Sequence, residues 1–215
     1  MKYTAIIVAA GSGSRFGSQL NKVWHLLNGK PVLFHSIDKF LSDLSCEKVI
    51  VVYSRVDQSR IHSAINTYPS LMITEGGSCR QESVNNGLQF VSTDYVLIHD
   101  GARPFFSETL LRTLTKEVVD YPSIIPALAS NNQEHPDREV MIEGIKVRVQ
   151  TPQAFLTNPL KQSFKMCAND HLLESFRDDA SILEHYHHIS PRWIPGESSN
   201  LKITFPSDLP SSSCD

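Results

Sequence analysis

The sequence predicts an α/β fold built on a mostly parallel sheet, and three observations carry that expectation. Short apolar runs rich in β-branched residues recur at 3–8, 48–53, 71–74, 95–99 and 123–127, each with the length and composition of a buried strand. Between them apolar residues fall at helical spacing, as in Val32, Leu33, Ile37, Phe40 and Leu41. That alternation sandwiches a parallel sheet between helices. Polar, glycine-bearing clusters at 11–22, 76–83 and 100–103 follow the strands, where open α/β sheets bind their ligands.

Taken in order, residues 3–8 form the first strand. Asn28-Gly29-Lys30-Pro31 is a tight turn, with Pro31 expected at the first position of the next helix. A strand at 48–53, a short helix at 58–67 and a brief strand at 71–74 follow. Ser78 and Gln81 fit a capping box for a helix running to Phe90. The next strand, 95–99, leads through Asp100 to a helix over 107–119 with Ser107 as its N-cap, and then to a strand at 123–127. Residues 131–148 are polar, with apolar pairs flanking Glu143-Gly144 as in a β-hairpin. They read either as a surface excursion or as an arm that packs on a second subunit. Thr151-Pro152-Gln153-Ala154-Phe155 returns to ordered structure. Residues 158–171 are helical, a helix starts at the pair Asp178-Asp179, and 192–194 is a strand. Residues 1–209 are expected to form one domain carrying the 131–148 arm, and 210–215 a disordered tail.

Composition narrows the function. Hydrophobic content of 40% and charged content of 20% are ordinary for a globular chain. A net charge of −3 argues against general binding to nucleic acid or a membrane surface. Cys46, Cys79, Cys167 and Cys214 are scattered without a C-x-x-C, so neither a zinc spacing nor a disulfide framework is expected. Isolated thiols fit a reducing cytoplasm. No signal peptide and no apolar run of transmembrane length is seen.

The first loop carries the chemistry. Ala9-Ala10-Gly11-Ser12-Gly13-Ser14-Arg15-Phe16-Gly17 runs on to Lys22 with no acid before Asp38. Glycines let backbone N–H groups approach a ligand closely, a turn of bare N–H groups cradles anions, and Arg15 and Lys22 add positive charge. A polyphosphate is the expected guest. No Gly-Lys-Ser/Thr is present, which removes a Walker A loop. The spacing G-x-G-x-x-x-G comes near a dinucleotide fingerprint, but the ribose acid it requires is offered only by Asp38, inside a helix. The pattern A-A-G-x-G-x-R-(x)6-K, that of a nucleotidyltransferase loop, accounts for both cations. A plain strand-to-helix turn accounts for neither.

Six motifs in order resemble the 2-C-methyl-D-erythritol 4-phosphate cytidylyltransferases over roughly residues 3–209: the loop with Arg15 and Lys22, then EGG…RQ-S-V, HDGARPF, VQTPQAF, DDAS and SNLKIT. Ribitol-5-phosphate cytidylyltransferases share most of them. The resemblance implies a Rossmann-like nucleotidyltransferase fold with a protruding β-arm. It also implies transfer of CMP from CTP to a small polyol phosphate with release of pyrophosphate. Arg15 and Lys22 would be catalytic at the α-phosphate. Nucleotide contacts would come from Ala10, Gly11, Ser12, Gly13, Ser14, Gly77, Ser78, Ser83, Asp100 and Gly101. Thr151 and Lys202 would serve the acceptor, Arg103 would either join them or hold the loop before Pro104, Asp100 would meet Mg2+, and the arm would build a homodimer.

Several positions depart from the family pattern. Ser78 stands where an Asp is common, and Ala129-Ser130 where an Asp-Thr pair is usual. Asn21-Lys22-Val23 replaces Pro-Lys-Gln. Glu143 occupies the place, eight residues before Thr151, of an Arg that reaches the partner's acceptor phosphate; Lys146 or Arg148 is the available substitute. The sequence therefore leaves open methylerythritol phosphate, ribitol phosphate or a related polyol phosphate as acceptor, and nucleotide binding without turnover. His99 reads as a packed strand-end residue, and His185, His187 and His188 as a solvated helix end.

Overall fold

The computed structural model describes residues 1–11, 13, 16–17, 20–68, 70–130, 138–176 and 178–209. The first half alternates as expected. Strand β1 (Tyr3–Val8) is followed by a small hairpin, β2 (Leu26–Leu27) and β3 (Lys30–Pro31), then α1 (Val32–Ser42), β4 (Cys46–Tyr53), α2 (Gln58–Ile65), β5 (Leu71–Glu75), α3 (Arg80–Leu88) and β6 (Tyr95–Asp100). The second half comprises α4 (Glu108–Glu117), β7 (Ser123–Ala129), β8 (Glu139–Ile142), β9 (Ile145–Val149), β10 (Gln153–Leu156), α5 (Thr157–Asn169), α6 (Asp179–His187) and β11 (Arg192–Pro195).

The main sheet runs β5-β4-β1-β6-β10-β7-β9-β8, with β11 also paired to β7. The pairs β1–β4, β1–β6, β4–β5 and β7–β11 are parallel. Successive strand residues face opposite sides, and this chain uses both. Ile7, Val49, Val51 and Leu97 face a core with Leu33, Ile37 and Phe40 of α1 and Leu111 and Leu114 of α4. Ile6, Ile50, Val52, Val96 and Ile98 face a second core with Val84 and Leu88 of α3, Leu160 and Phe164 of α5, and Leu183 of α6. Strands buried on both faces have no polar alternation, which is why they stood out as continuous apolar runs.

Three details differ from the sequence reading. Pro31 is the N-cap of α1 and Val32 its first residue. The cap of α3 is Cys79, whose extended backbone delays the helix by one residue; its Sγ accepts from Glu82 N–H at 3.3 Å. Ser78 instead donates to the Glu82 carboxylate from its N–H (2.6 Å) and its hydroxyl (2.7 Å). The third is β10, which lies antiparallel between β6 and β7. Its apolar stretch is too short to announce a strand by periodicity, yet Gln153, Ala154 and Phe155 are all buried.

The described part of the arm continues the main sheet, since β9 pairs with β7. Its turn places Glu143 (φ 49°) and Gly144 (φ 82°) in the left-handed region, as a two-residue hairpin turn of type I′ requires. Val147 and Val149 are buried, while Met141 and Ile145 are 65% and 60% exposed. Arg138, at the base of the hairpin, is paired with Asp178, the N-cap of α6. Residues 131–137 and the tail 210–215 lie outside the described residues. Among the described residues no helix is long and apolar enough to cross a membrane.

Phe40 is fully buried and its ring meets Tyr3, His99 and Phe106. We expect Phe40→Ala to cost about 3–5 kcal/mol of stability, through lost burial and an unfilled cavity, read as a lowered urea midpoint.

Candidate functional site

The parallel register brings three chain segments to one edge of the sheet. Val8 is level with Asp100, Val8 with Val52, and Tyr53 with Glu75. Backbone bonds continue the alignment beyond the strands: Ala9 N–H to Val52 O (2.8 Å), Gly76 N–H to Tyr53 O (2.8 Å) and Gly101 N–H to Val8 O (2.9 Å). Between these ends lies a cleft of about 410 Å³. Its walls come from the glycine loop, the start of α3, Asp100 and the segment around Lys202.

Asn21 closes the glycine loop. Its buried side-chain amide donates to Ala9 O (3.2 Å), Gly11 O (2.9 Å) and the Asp57 carboxylate (3.1 Å). The end of the loop is thus tied to its beginning, and the next residue, Lys22, opens a short 3-10 turn on the cleft wall. The opposite wall must approach closely. A Cβ on Gly76 would stand 2.3 Å from Ala10 Cβ and 2.8 Å from Ser83 Oγ, so only glycine fits there. Gly77 N–H donates to Ser83 Oγ (3.1 Å), whose hydroxyl donates to Cys79 O (2.9 Å).

Asp100 forms the floor. Lys202 Nζ lies 2.6 Å from Oδ2, Arg80 Nε 3.3 Å from Oδ1, and Arg103 Nε 3.9 Å from Oδ2. Burial alone would raise this carboxyl; Lys202, then Arg80 and Arg103, hold it well below the usual carboxylate range. Arg80 also reaches Asp179, at the start of α6: Nη1 donates to both carboxylate oxygens, at 2.9 and 3.0 Å. Burial pushes the Asp179 carboxyl above the usual carboxylate range, and the Arg80 guanidinium offsets this only in part. Fixed cations around one carboxylate, beside Gly11 and Gly13 of the first loop, suit a polyphosphate bound with a cation.

The chain matches the family model "IspD: 2-C-methyl-D-erythritol 4-phosphate cytidylyltransferase" over residues 3–214. Curated relatives of that name include the Bacillus mycoides protein, 32% identical over 96% of this chain and 94% of its own length, and the Lachnoclostridium phytofermentans protein, 34% identical over 97% and 93%. The crystal structure of the Francisella tularensis 2-C-methyl-D-erythritol 4-phosphate cytidylyltransferase superposes with a TM-score of 0.78 at 26% identity, covering 97% of both chains. The chain belongs to this family.

Within the family frame, the cleft gathers Ala10, Gly11, Gly13, Lys22, Gly77, Ser78, Ser83, Asp100 and Lys202, all expected site residues. Ser12, Ser14 and Arg15 lie outside the described residues. Three expected contacts stand behind the wall instead. Gly101 is buried below it. Arg103 is 2% exposed and donates from Nη1 to Asn200 O (3.0 Å), so it anchors the segment that carries Lys202. Thr151 is buried; its Oγ1 accepts from Asp100 N–H (3.0 Å) and lies 3.1 Å from His99 Nδ1. Arg103 and Thr151 therefore support the floor rather than line the cleft. Arg80, Asn21 and Asp179 escaped the sequence reading. The motifs EGG…RQ-S-V and DDAS contain Arg80 and Asp179, but only folding shows that they meet. Among the described residues no group of three or more metal-type side chains is found, the C-terminal histidines included.

His99 is the packed residue that the sequence suggested. With Thr151 Oγ1 accepting from Asp100, its hydroxyl is left to donate to Nδ1, and Nε2–H then donates to Arg103 O (3.0 Å). Burial above all lowers its pKa from 6.5 to about 3. The unfolded chain therefore binds a proton that the folded chain refuses as pH falls from 6.5 towards 3. The stability tied to a neutral His99 is complete above about pH 6.5 and drains at up to about 1.4 kcal/mol per pH unit below it. Urea unfolding between about pH 5 and 7 should show this slope, and His99→Gln should flatten it by that amount.

Proposed function

We propose that the protein transfers the cytidylyl group of CTP to 2-C-methyl-D-erythritol 4-phosphate with release of pyrophosphate, in isoprenoid precursor synthesis. Family membership supports this reading, and one observation carries it in the structure: Lys22, Lys202 and Asp100 face a single cleft beside the glycine loop. Loop N–H groups at Gly11 and Gly13 receive the β- and γ-phosphates. An anionic oxygen of the acceptor phosphate attacks the α-phosphorus. The new P–O bond forms as the bond to the β-phosphate oxygen breaks, and pyrophosphate leaves with that electron pair. No proton moves and no covalent enzyme intermediate is needed. The protein aligns the two phosphates and neutralises the charge spreading over the α-phosphoryl group. Lys22 does this with Arg15, and Lys202 turns from Asp100 to the acceptor phosphate.

The donor set fits Mg2+. Asp100 offers one carboxylate in the cleft, and Mg2+ is commonly held by one or two carboxylates together with substrate phosphates. Bound there, it would supply positive charge to the phosphates and to the departing pyrophosphate. Cytosine is read at the turn 76–78, whose Gly77 and Ser78 line the cleft.

Pyrophosphate release with CTP, Mg2+ and a panel of polyol phosphates tests the reading. Methylerythritol phosphate should give the highest kcat/KM; preference for ribitol phosphate would move the acceptor, and release with none would leave a nucleotide-binding protein. Lys22→Ala should lower kcat by about 10²–10³-fold, the scale of one lost transition-state donor, with a smaller change in CTP binding.

The reading includes a homodimer built through the hairpin. Met141 and Ile145 are exposed on it, and a second copy of the same hairpin would cover these apolar side chains. Lys146 is already engaged by Glu139. Arg148, half-buried and opposite Glu139 in the hairpin register, is the second cation on β9, and this reading assigns it to the partner's acceptor site. Light scattering should give a dimer, and replacing 133–146 by a short Gly-Ser link should give a monomer with raised KM for the acceptor. A monomeric full chain, or a dimeric and fully active deletion, would reduce the arm to a surface loop.

A further inference from the structure

The Asp-Asp pair at the start of α6 divides its work. Asp178 is the cap: its Oδ1 accepts from Ser181 N–H at 2.8 Å. Asp179 is therefore not needed to satisfy the helix end, yet it is the residue with no exposure at all. Both its oxygens go to one nitrogen of Arg80, and the Nε of the same guanidinium goes to Asp100. A guanidinium is a rigid plane, so fixing Nη1 also fixes the direction of Nε. The Arg80 side chain keeps 27% of its surface exposed and lines the cleft.

We propose that Asp179 is a positioning residue of the nucleotide site, holding the Arg80 guanidinium so that Arg80 in turn sets the Asp100 carboxylate on the cleft floor. A plain adhesive between α3 and α6 is a weaker account. Apolar side chains of similar volume join buried helices at least as well as an ion pair, because desolvation consumes much of the attraction. What apolar residues cannot do is aim a charge. With Asp179 neutral, Arg80 loses its buried partner and turns towards Asp100. It then competes with Lys202 and with whatever cation accompanies the nucleotide, and the Asp100 carboxylate loses its fixed direction.

The inference rests on the nucleotide-binding half of the proposed function, so binding and turnover are measured separately. CTP titrations by calorimetry, kcat and KM, and Tm are compared for wild type, Asp179→Asn, Arg80→Lys, the double variant and Asp178→Ala. Asp179→Asn and Arg80→Lys should each raise the Kd and KM for CTP about tenfold or more, the scale on which outer partners of a site's ligands act. The double variant should be no worse than the worse single one, because the two residues work as one unit. Asp178→Ala removes a cap, so it should lower Tm and leave the Kd for CTP unchanged. Should Asp179→Asn fail to fold, Asp179→Glu, which displaces the charge by one methylene, takes its place with the same expected sign. An unchanged Kd in the folded Asp179 variant, additive effects in the double, or an equal rise in Asp178→Ala would overturn the proposal. A wild-type protein that does not bind CTP would overturn it together with the proposed function. Binding without turnover would count only against the latter.

Discussion

Asp100 is a carboxylate with 13% of its side chain exposed, at the carboxyl end of β6. Leaving such a group without partners would cost several kcal/mol, so positive charge has to come to it. The chain supplies that charge from separate places: Lys202 from the segment after β11, Arg80 from the first residue of α3, and Arg103 from the turn after β6. Each cation brings its own stretch of backbone. Neutralising one carboxylate therefore assembles the floor and two walls of the cleft, and the same excess of cations makes the place attractive to phosphates.

A second layer fixes the backbone of Asp100 as firmly as the first fixes its side chain. Thr151 takes the Asp100 N–H, and His99 joins Thr151 to the Arg103 carbonyl. Ser36 of α1 stands 3.2 Å from the same imidazole. This arrangement depends on β10: only by entering the sheet next to β6 does the chain bring Thr151 level with the end of that strand. Asn200 then ties the Lys202 segment to it, donating from Nδ2 to Thr151 O at 2.8 Å. The antiparallel insertion is thus the device that carries the C-terminal lysine across the sheet to the first loop.

What the sequence made legible follows from the range of the signal. Strands β1, β4, β6 and β7 were readable because burial on both faces leaves continuous apolar runs; the edge strand β5 is only partly buried and showed as a briefer run. The turn at Asn28-Gly29 and the hairpin around Glu143-Gly144 were readable from turn residues set against apolar neighbours. The nucleotide loop was readable because glycines and cations stand close together in the chain. Arg80 and Asp179 were not: they stand 99 residues apart in the chain, and each has an ordinary local reading as a helix-start residue. Thr151, expected at the acceptor, and Arg103, expected either there or holding its own loop, both stand buried behind the wall. A motif records that a residue sits near a site, whereas burial decides whether it faces the ligand or holds up what does. The cap of α3 shifted from Ser78 to Cys79 because a carboxylate one turn on, Glu82, drew Ser78 out of the capping role.

The hairpin shows how a departure from family pattern can be absorbed locally. Glu143, where a cation is usual, occupies a turn position with φ 49°, which asks for backbone tolerance rather than charge. The positive charge is instead carried on β9. Lys146 is neutralised within the hairpin by Glu139, whose other oxygen accepts from Ser130 Oγ at 2.5 Å. Ser130 is itself a departure, and this network ties it to the hairpin. Arg148, two residues on and on the same face of the strand, is the cation whose Nε this network leaves without a hydrogen bond. Moving a cation five residues along, from a turn to a strand, exchanges a mobile carrier for one pinned by sheet pairing with Leu128.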